Sequence, residues 1–255
     1  NKTVIEKAWD ALDGKAEPVY DTDLFGISGH IKGYFADSKS DVFDGIVKSL
    51  EALVDSSADG MLFAVGDGNH SLASAKAHWD KVKENLSEEE RKTHVARFAL
   101  VEIVNIHDAG LDFEPIHRVV FGLDKNTLLS KATEYFKNSE LSIDSEAKKD
   151  AQNIVIVSEG EEDVVMNIKN APHTLAVGSI QMFLDTLEGC EVDYIHGEDS
   201  VRNLTKGNNT GIILPPVTKD SFFVTIAKEG VFPRKTFSMG EAFEKRFYLE
   251  AKMIK

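Results

Sequence analysis

The sequence predicts an α+β fold, built as a mixed β-sheet with helices packed on it. Apolar residues recur at helical spacing in some segments and form short continuous runs in others. These segments follow one another irregularly, without the strict strand–helix alternation of a doubly wound protein. The strands of the sheet are expected in six segments, at residues 61–66, 95–105, 112–121, 191–196, 211–214 and 244–251.

The composition excludes several classes of function. The chain has 255 residues, 42% hydrophobic and 28% charged, as in ordinary soluble globular proteins, and no apolar run approaches the length of a membrane span. A net charge of −14 opposes binding to nucleic acid. The single cysteine, Cys190, cannot form a disulfide within the chain and favours the reducing cytoplasm. The histidine spacings match no metal-binding motif, so no metal site is expected.

The N-terminal third begins with a helix at 3–12, so we expect the chain to be the C-terminal part of a longer protein, forming one domain over 1–255. His30 and Lys32 lie two apart and share one face of an extended segment. They either offer two donors to an anion or form an edge that faces solvent. Ser40 is expected to cap the next helix, which has an apolar stripe from Phe43 to Val54.

Most candidate functional residues lie in the glycine-rich turn at 66–71. There an apolar run stops and an amphipathic helix begins, with Asn69 as its expected N-cap. Such a turn leaves backbone N–H groups at the positive end of the helix dipole, where a phosphate or carboxylate fits. Asp67 would repel that anion unless a metal ion or a sugar hydroxyl lies between them, which a nucleotide with a divalent cation supplies. Taken alone, the turn is equally consistent with a tight connection whose glycines supply positive φ.

The middle of the chain carries further candidates. Ser87 and Glu90 form a capping-box pattern, and 95–105 is expected to be a central strand because both of its faces are apolar. Glu102 in that strand is either paired internally, which we favour, or exposed in a cleft. His107, just past the end of the strand, has a suitable position for ligand contact.

A second strand is expected at 113–121. If all of it is extended, His117 faces away from Glu114 and Arg118, and a turn at Pro115 would remove this objection to a shared site. Arg118 is kept as a candidate phosphate ligand. Asn126 is expected to cap the following helix, and we interpret 123–172 as an acidic lobe or insertion with strands at 153–157 and 164–168 and a solvated hairpin tip at 159–162.

The C-terminal part repeats the strand–turn–helix pattern at 191–202, with Asp199 or Ser200 as the expected cap. A strand at 211–214 and a helix from Thr218 to Lys228, ended by Gly230, follow. Arg234 and Lys235 then stand together in a loop of an acidic chain, where phosphate contact explains them, although a routine surface loop is the alternative.

Four sequence blocks carry a resemblance to a known family. The run from Val65 to Ala73 resembles the signature of domain-of-unknown-function family 1015, and the blocks at 99–108, 113–118 and 233–240 agree with it. That family is similar to the ParB/sulfiredoxin superfamily, which includes free-serine kinases and holds nucleotide phosphates with a Gly-X-His-Arg type of turn. Gly68 and His70 match this pattern, but Ser71 stands where the arginine is expected.

The resemblance implies a ParB/sulfiredoxin-like core and a small-molecule kinase that uses ATP or ADP with Mg²⁺ and acts on a hydroxylated metabolite such as serine. His70 and Asp67 are then the catalytic candidates. The phosphate-bearing ligand would be held by the remaining candidates, namely Gly68, Asn69, His70, Ser71, His107, Arg118, Arg234 and Lys235. The alternative is a non-catalytic ligand-binding or interaction module that has lost the phosphate-clamping arginine.

Overall fold

The computed structural model describes residues 3–26, 29–57, 60–240 and 251. It divides the chain into two compact units, unit 1 comprising residues 1–111 and 241–255, and unit 2 comprising residues 112–240. Helices and antiparallel strands occur in both, and the predicted α+β class is confirmed. The expectations of a single domain over 1–255 and of an acidic lobe at 123–172 stay predictions.

Unit 1 is mainly helical in its described residues. Its elements are α1 (Ile5–Leu12), β1 (Tyr20–Asp23), β2 (His30–Gly33), α2 (Asp41–Ser56), α3 (Asn69–Val82) and α4 (Glu88–Thr93), with 3₁₀ turns at Lys83–Asn85 and Val95–Arg97. Strands β1 and β2 form an antiparallel pair. Two predicted caps are confirmed, since Ser40 accepts a hydrogen bond from the backbone N–H of Phe43 and Ser87 forms a reciprocal capping box with Glu90.

Two strands predicted for unit 1 are wrong. Residues 61–66 are irregular, and 95–105 consists of a 3₁₀ turn followed by an irregular segment. The apolar pattern of both segments is real, but a strand also needs a neighbour with which to share backbone hydrogen bonds. The predicted strand at 244–251 lies outside the described residues except for Ala251.

Unit 2 contains a seven-stranded sheet with four helices in its described residues. The elements are β3 (Phe113–Phe121), α5 (Lys125–Tyr135), β4 (Leu141–Asp144), β5 (Gln152–Val157), β6 (Val164–Ile168), α6 (Ala176–Leu184), β7 (Glu191–His196), α7 (Glu198–Leu204), β8 (Thr210–Ile213), α8 (Lys219–Glu229) and β9 (Phe237–Met239). The strand order is β4-β6-β5-β8-β3-β7, and β9 pairs with the start of β3. Every pairing among the described strands is antiparallel, so the sheet is antiparallel rather than mixed.

Strand β3 is central because its nine residues pair with three other strands. Phe113 to Pro115 pair with β9, Ile116 to Phe121 pair with β7 on one edge, and Arg118 to Val120 pair with β8 on the other. Extended backbone continues through Pro115, so the turn considered there is absent from the described strand and His117 and Arg118 point to opposite faces of the sheet.

The core of unit 2 packs the inner face of the sheet against α5 and α6. Leu128 of α5 and Phe136, the C-cap of α5, belong to one apolar cluster with Phe183 of α6. The same cluster contains Ile154 and Ile212 of the sheet, and all five side chains are at most 1% exposed. On the opposite face, α7 approaches β8 so closely that a Cβ on Gly211 would lie 2.5 Å from Val201. Only glycine fits at that contact.

Helix starts in unit 2 differ from the predictions at two places. Asp124 caps α5 through a bond from the backbone N–H of Thr127, so the prediction of Asn126 is wrong by two residues. Gly197 precedes α7, and neither Asp199 nor Ser200 is the cap. The Thr218 cap and Gly230 end of α8 are confirmed. None of the helices in the described ranges has an apolar stretch that would reach across a bilayer.

Candidate functional site

The glycine-rich turn of unit 1 is built around Gly68, which takes the left-handed conformation with φ 74° and ψ 18°. Its backbone N–H donates to Oδ1 of Asp67 at 2.7 Å, and its carbonyl accepts from the N–H of Leu72 at 2.9 Å. Gly68 is therefore the N-cap of α3, and the prediction of Asn69 is wrong by one residue. A Cβ at Gly68 would meet open space, so the positive φ alone is what favours glycine there.

The first turn of α3 presents backbone donors that no described residue accepts. The helix has no side-chain cap. Within the part of the chain that the structure describes, the N–H groups of Asn69, His70 and Ser71 meet no acceptor. All three residues are exposed. Three adjacent N–H groups at the positive end of a 14-residue helix form a surface suited to an anion.

The other candidate of unit 1, His107, lies in the irregular segment that follows 98–105. Its backbone N–H donates to Oδ1 of Asn105 at 3.1 Å, while Nδ2 of Asn105 donates to Oε1 of Glu6 at 3.2 Å. These bonds tie the loop of His107 to α1. Because 98–105 is not a strand, the reason for placing His107 at a strand end no longer holds, and its role as a ligand stays a prediction.

Arg118 is in unit 2, on β3, and its side chain is completely buried. Nε and Nη2 donate to Oε1 of Gln181, each at 3.3 Å, and Nη2 also donates to the carbonyl of Arg234 at 3.2 Å. Nη1 donates to the carbonyls of Ile116 and Lys235. All five N–H groups are thus engaged by protein acceptors, so a phosphate would have to displace one of them.

Electrostatics around Arg118 follow from this burial. Loss of solvent lowers the pKa of the guanidinium to about 10, so the group is charged at neutral pH. The ring of Tyr194 lies 4.7 Å from Arg118 and 5.4 Å from Arg234, measured from guanidinium carbon to ring centroid. The buried cation is therefore stabilised by carbonyl oxygens and an aromatic face.

The loop that Arg118 holds presents the other two cations. Arg234 is largely exposed and lies 3.4 Å from Oδ1 of Asp185. Lys235 is exposed, has a positive φ of 55°, and forms no ion pair with any described carboxylate. A left-handed lysine costs backbone free energy, which the two carbonyl bonds to Arg118 offset.

The sequence candidates thus fall into two groups. Unit 1 holds the contiguous residues 67–71 and, on another loop, His107. Unit 2 brings Arg118, Arg234 and Lys235 together, although only the last two have exposed side chains. His30 and Lys32 face carboxylates, since the two ring nitrogens of His30 lie 2.7 and 2.8 Å from carboxylate oxygens and Lys32 lies 3.0 Å from Asp13.

Sequence reasoning missed the partners of Arg118. Gln181 is 6% exposed within the mainly apolar α6, and the one amide side chain of that helix is the signal that could have identified a buried polar partner. Tyr194 gave no comparable signal. His117 was recognised only as facing away from Arg118, whereas it is buried and its Nδ1 accepts from the backbone N–H of Leu214 at 3.1 Å.

Comparison with known proteins gives one family. The family described as a protein of unknown function, DUF1015, matches residues 1–187. No curated protein and no solved structure matches the chain. Within the described ranges, no three His, Cys, Asp or Glu residues are arranged to hold a metal ion.

Proposed function

The chain belongs to the DUF1015 family, and we propose that its 67–71 turn binds the phosphate groups of a nucleotide. One observation carries this proposal, namely the three adjacent N–H groups of Asn69, His70 and Ser71 at the start of α3, which have no acceptors among the described residues. A bound phosphate would accept from them and gain from the helix dipole. The ligand is a small phosphate-bearing molecule, and the compartment is the reducing cytoplasm.

Each residue of the turn has a role in this proposal. Gly68 gives the chain its sharp entry into the helix, and His70 donates from its ring to a phosphate oxygen. Asp67 reaches the nucleotide through Mg²⁺ or a ribose hydroxyl, because a direct carboxylate–phosphate contact is repulsive. ATP or ADP with Mg²⁺ is the nucleotide class that matches these groups.

The reaction that we propose is phosphoryl transfer onto a small hydroxylated metabolite such as serine. Catalysis of this kind rests on positioning and on stabilising the negative charge of the transferring group, and backbone N–H groups with a neighbouring histidine supply both. The absence of arginine at position 71 removes the strongest bidentate contact, so we expect the phosphate to be held more weakly than by a guanidinium clamp.

Isothermal titration of the full chain with ATP, ADP and CTP in the presence of Mg²⁺ tests the binding. We expect one of the nucleotides to bind, and His70→Ala to lower its affinity at least tenfold. The matched control is His78→Ala, an exposed histidine on the same helix that lies outside the turn. If no nucleotide binds, or if His70→Ala and His78→Ala bind alike, the phosphate assignment of the turn is wrong.

A second candidate function is a non-catalytic interaction module. It is favoured by the segment 98–104, whose apolar side chains remain exposed, for example Val101 at 62%. ³¹P NMR of ATP with serine and the full chain separates the two candidates. Appearance of ADP and a phosphoserine signal supports the kinase, whereas nucleotide binding without turnover supports the module.

A further inference from the structure

The 67–71 turn begins with an aspartate–glycine dipeptide, a sequence that can rearrange without an enzyme. In this reaction the backbone nitrogen of the glycine attacks the side-chain carboxyl carbon of the aspartate and closes a five-membered succinimide ring. Glycine favours ring closure because it has no Cβ that would crowd its own nitrogen. The sequence contains the dipeptide at 13–14, 44–45, 59–60 and 67–68. Asp59 lies outside the described residues, so the structure distinguishes the other three.

At Asp67 the reacting groups are close together. The N–H of Gly68 donates to Oδ1 of Asp67 at 2.7 Å, which holds the carboxyl group on the side of the following nitrogen. Since Oδ1 is bonded directly to Cγ, the nitrogen lies within about 4 Å of the carbon that it attacks. Both residues are exposed, and a Cβ on Gly68 would meet open space. The dipeptide therefore has room for the ring and access for water.

The nitrogen of Gly68 also lies outside the hydrogen-bond ladder of a helix. Gly68 is the N-cap of α3, so its N–H precedes the first helical turn. Gly45, by contrast, is the fifth residue of α2, where the N–H donates along the helix and fixes the peptide plane. Ring closure requires this plane to rotate until the nitrogen faces Cγ. Asp67–Gly68 can rotate without breaking a helical hydrogen bond, whereas Asp44–Gly45 cannot.

The dipeptide Asp13–Gly14 is restrained in a different way. Oδ1 of Asp13 accepts from the hydroxyl of Tyr34 at 2.7 Å and from Nζ of Lys32 at 3.0 Å. These bonds lower the pKa of the Asp13 carboxyl. An ionised carboxylate loses an oxygen far less readily than a neutral carboxyl group, so folding slows ring closure at Asp13.

We propose that Asp67–Gly68 is a site at which the folded chain converts aspartate to isoaspartate. The Gly68 nitrogen bonds to Cγ of the neutral carboxyl group, the Cγ–OH bond breaks, and the N–H proton leaves with that oxygen as water. A second water then attacks the main-chain carbonyl carbon of Asp67 and breaks its bond to the nitrogen. The hydroxyl stays on that carbon and the proton goes to the nitrogen, so the peptide continues through Cγ and no group is oxidised or reduced.

Isoaspartate places the Cβ atom of residue 67 in the main chain, directly before α3. The extra atom displaces the N–H groups at the start of α3 relative to the preceding segment, and the carboxylate changes its position. If the turn binds phosphate, isomerisation inactivates it with age. Only this consequence rests on the proposed function, since the rearrangement needs no ligand.

Incubation of the full chain in neutral H₂¹⁸O buffer, followed by digestion in ordinary water and mass spectrometry, tests the rearrangement. Each succinimide hydrolysis adds one ¹⁸O atom, and electron-transfer fragmentation locates the isoaspartate. The chain in urea gives the rate of each dipeptide without folded structure. We expect Asp67–Gly68 to react in the folded chain within a few-fold of its rate in urea, and Asp44–Gly45 to react at least tenfold more slowly than in urea. Asp13–Gly14 should also be slowed by folding.

Two variants check the chemistry at position 67. Asp67→Glu keeps the carboxylate but would need a six-membered ring, so ¹⁸O incorporation there should stop. Asp67→Asn should react faster, because ammonia leaves an amide more readily than water leaves a carboxyl group at neutral pH. Far-UV circular dichroism checks that both variants are folded. The proposal is overturned if folding protects Asp67–Gly68 as strongly as Asp44–Gly45, or if Asp67→Glu leaves the incorporation unchanged.

Isothermal titration with ATP and Mg²⁺ tests the consequence for binding separately. The fraction of chain that binds should fall in step with its isoaspartate content, and aged chain that binds like fresh chain would overturn the inactivation. Fresh chain that binds no nucleotide would refute the proposed function alone, because the ¹⁸O measurement does not depend on it.

Discussion

Units 1 and 2 differ most in how they bury apolar side chains. Except for Ala96, every buried apolar residue among those described belongs to unit 2. The helices α1, α2 and α3 bury no residue completely, whereas eight residues of α6 are buried. Unit 2 therefore supplies its own core, and the candidate turn of α3 lies on a unit with few buried contacts. Ligand-binding elements are often drawn from such regions of low local stability.

Two apolar segments show the reason for the difference. Residues 98–104 are richer in apolar side chains than β3, yet Leu100 is 58% exposed and Val119 is completely buried. Strand β3 has three antiparallel neighbours, while 98–104 has none among the described strands. An apolar segment favours burial, but it becomes part of a buried sheet only when it pairs with neighbouring strands.

The largest expected effect is on stability, when a buried isoleucine of unit 2 and an exposed isoleucine of unit 1 are each replaced by alanine. Ile212→Ala in unit 2 removes a completely buried side chain and should lower the free energy of unfolding by roughly 2–5 kcal/mol, from lost burial and the cavity left behind. Ile103→Ala in unit 1 removes a side chain that is 46% exposed and should cost about 0.5 kcal/mol or less. Urea denaturation measures both, and equal losses would contradict the contrast between the units.

Arg118 provides the next test, since it stabilises unit 2 by holding the 234–235 loop. Arg118→Leu should destabilise the protein by about 3 kcal/mol, because the amide of Gln181 and the loop carbonyls lose their buried donor. The control is Arg202→Leu, which removes ion pairs to Asp163 and Glu198 and should cost at most about 1 kcal/mol because they are largely exposed. If Arg118→Leu is as stable as the control, Arg118 does not hold the loop.

A substitution at the 67–71 turn of unit 1 can be designed to increase nucleotide affinity rather than to remove it. If the turn binds phosphate as proposed, Ser71→Arg adds a guanidinium beside that site and should tighten nucleotide binding by roughly 1.5–3 kcal/mol, the range for a charge-assisted hydrogen bond. Position 71 is exposed, so thermal stability should change little. Isothermal titration and a melting curve measure the two effects. Unchanged affinity in a folded variant would contradict the phosphate interpretation of the turn.

The smallest expected effect is on the pH dependence of stability, where protonation of two histidines should act with opposite signs. In unit 2, burial lowers the pKa of His117 below its ordinary 6.5, so the unfolded chain binds the proton first and stability falls as pH drops below about 6.5. In unit 1, the hydrogen bonds that the protonated ring of His30 donates to the carboxylates of Asp23 and Asp21 raise its pKa. Its stabilising contribution is present below pH 6.5 and is lost as pH rises through the raised value.

Histidine ring ¹H–¹⁵N spectra recorded against pH measure both pKa values directly. His117→Gln should reduce the loss of stability on acidification without affecting the titration of His30. If both histidines titrate on the same side of 6.5, the electrostatic contrast between the two units is wrong.

Sequence reasoning predicted much of unit 2. The strand at 113–121 is correct to the residue, because its apolar residues and flanking turns agree, and the strands at 153–157 and 164–168 lie within one residue of those observed. It failed at 61–66 and 95–105, since periodicity reports a preference for burial and carries no information on which strand pairs with which.

The candidate site shows the same limit. The turn and start of α3 could be predicted from the glycines and the helical spacing after them, with an error of one residue at the cap. The use of all five Arg118 donors could not, because three of the four acceptor residues, Gln181, Arg234 and Lys235, lie 63 to 117 residues away and become neighbours only in the folded sheet.

Amide spectra of the ¹⁵N-labelled full chain titrated with ATP and Mg²⁺ test most directly whether the 67–71 turn binds phosphate. We expect saturable shifts of the Gly68, Asn69, His70 and Ser71 amides, whose N–H groups would donate to the phosphate oxygens. These shifts should vanish in His70→Ala and persist in His78→Ala. If saturating ATP leaves these four amide signals unshifted, or shifts only those of Arg234 and Lys235 in unit 2, the turn does not bind phosphate.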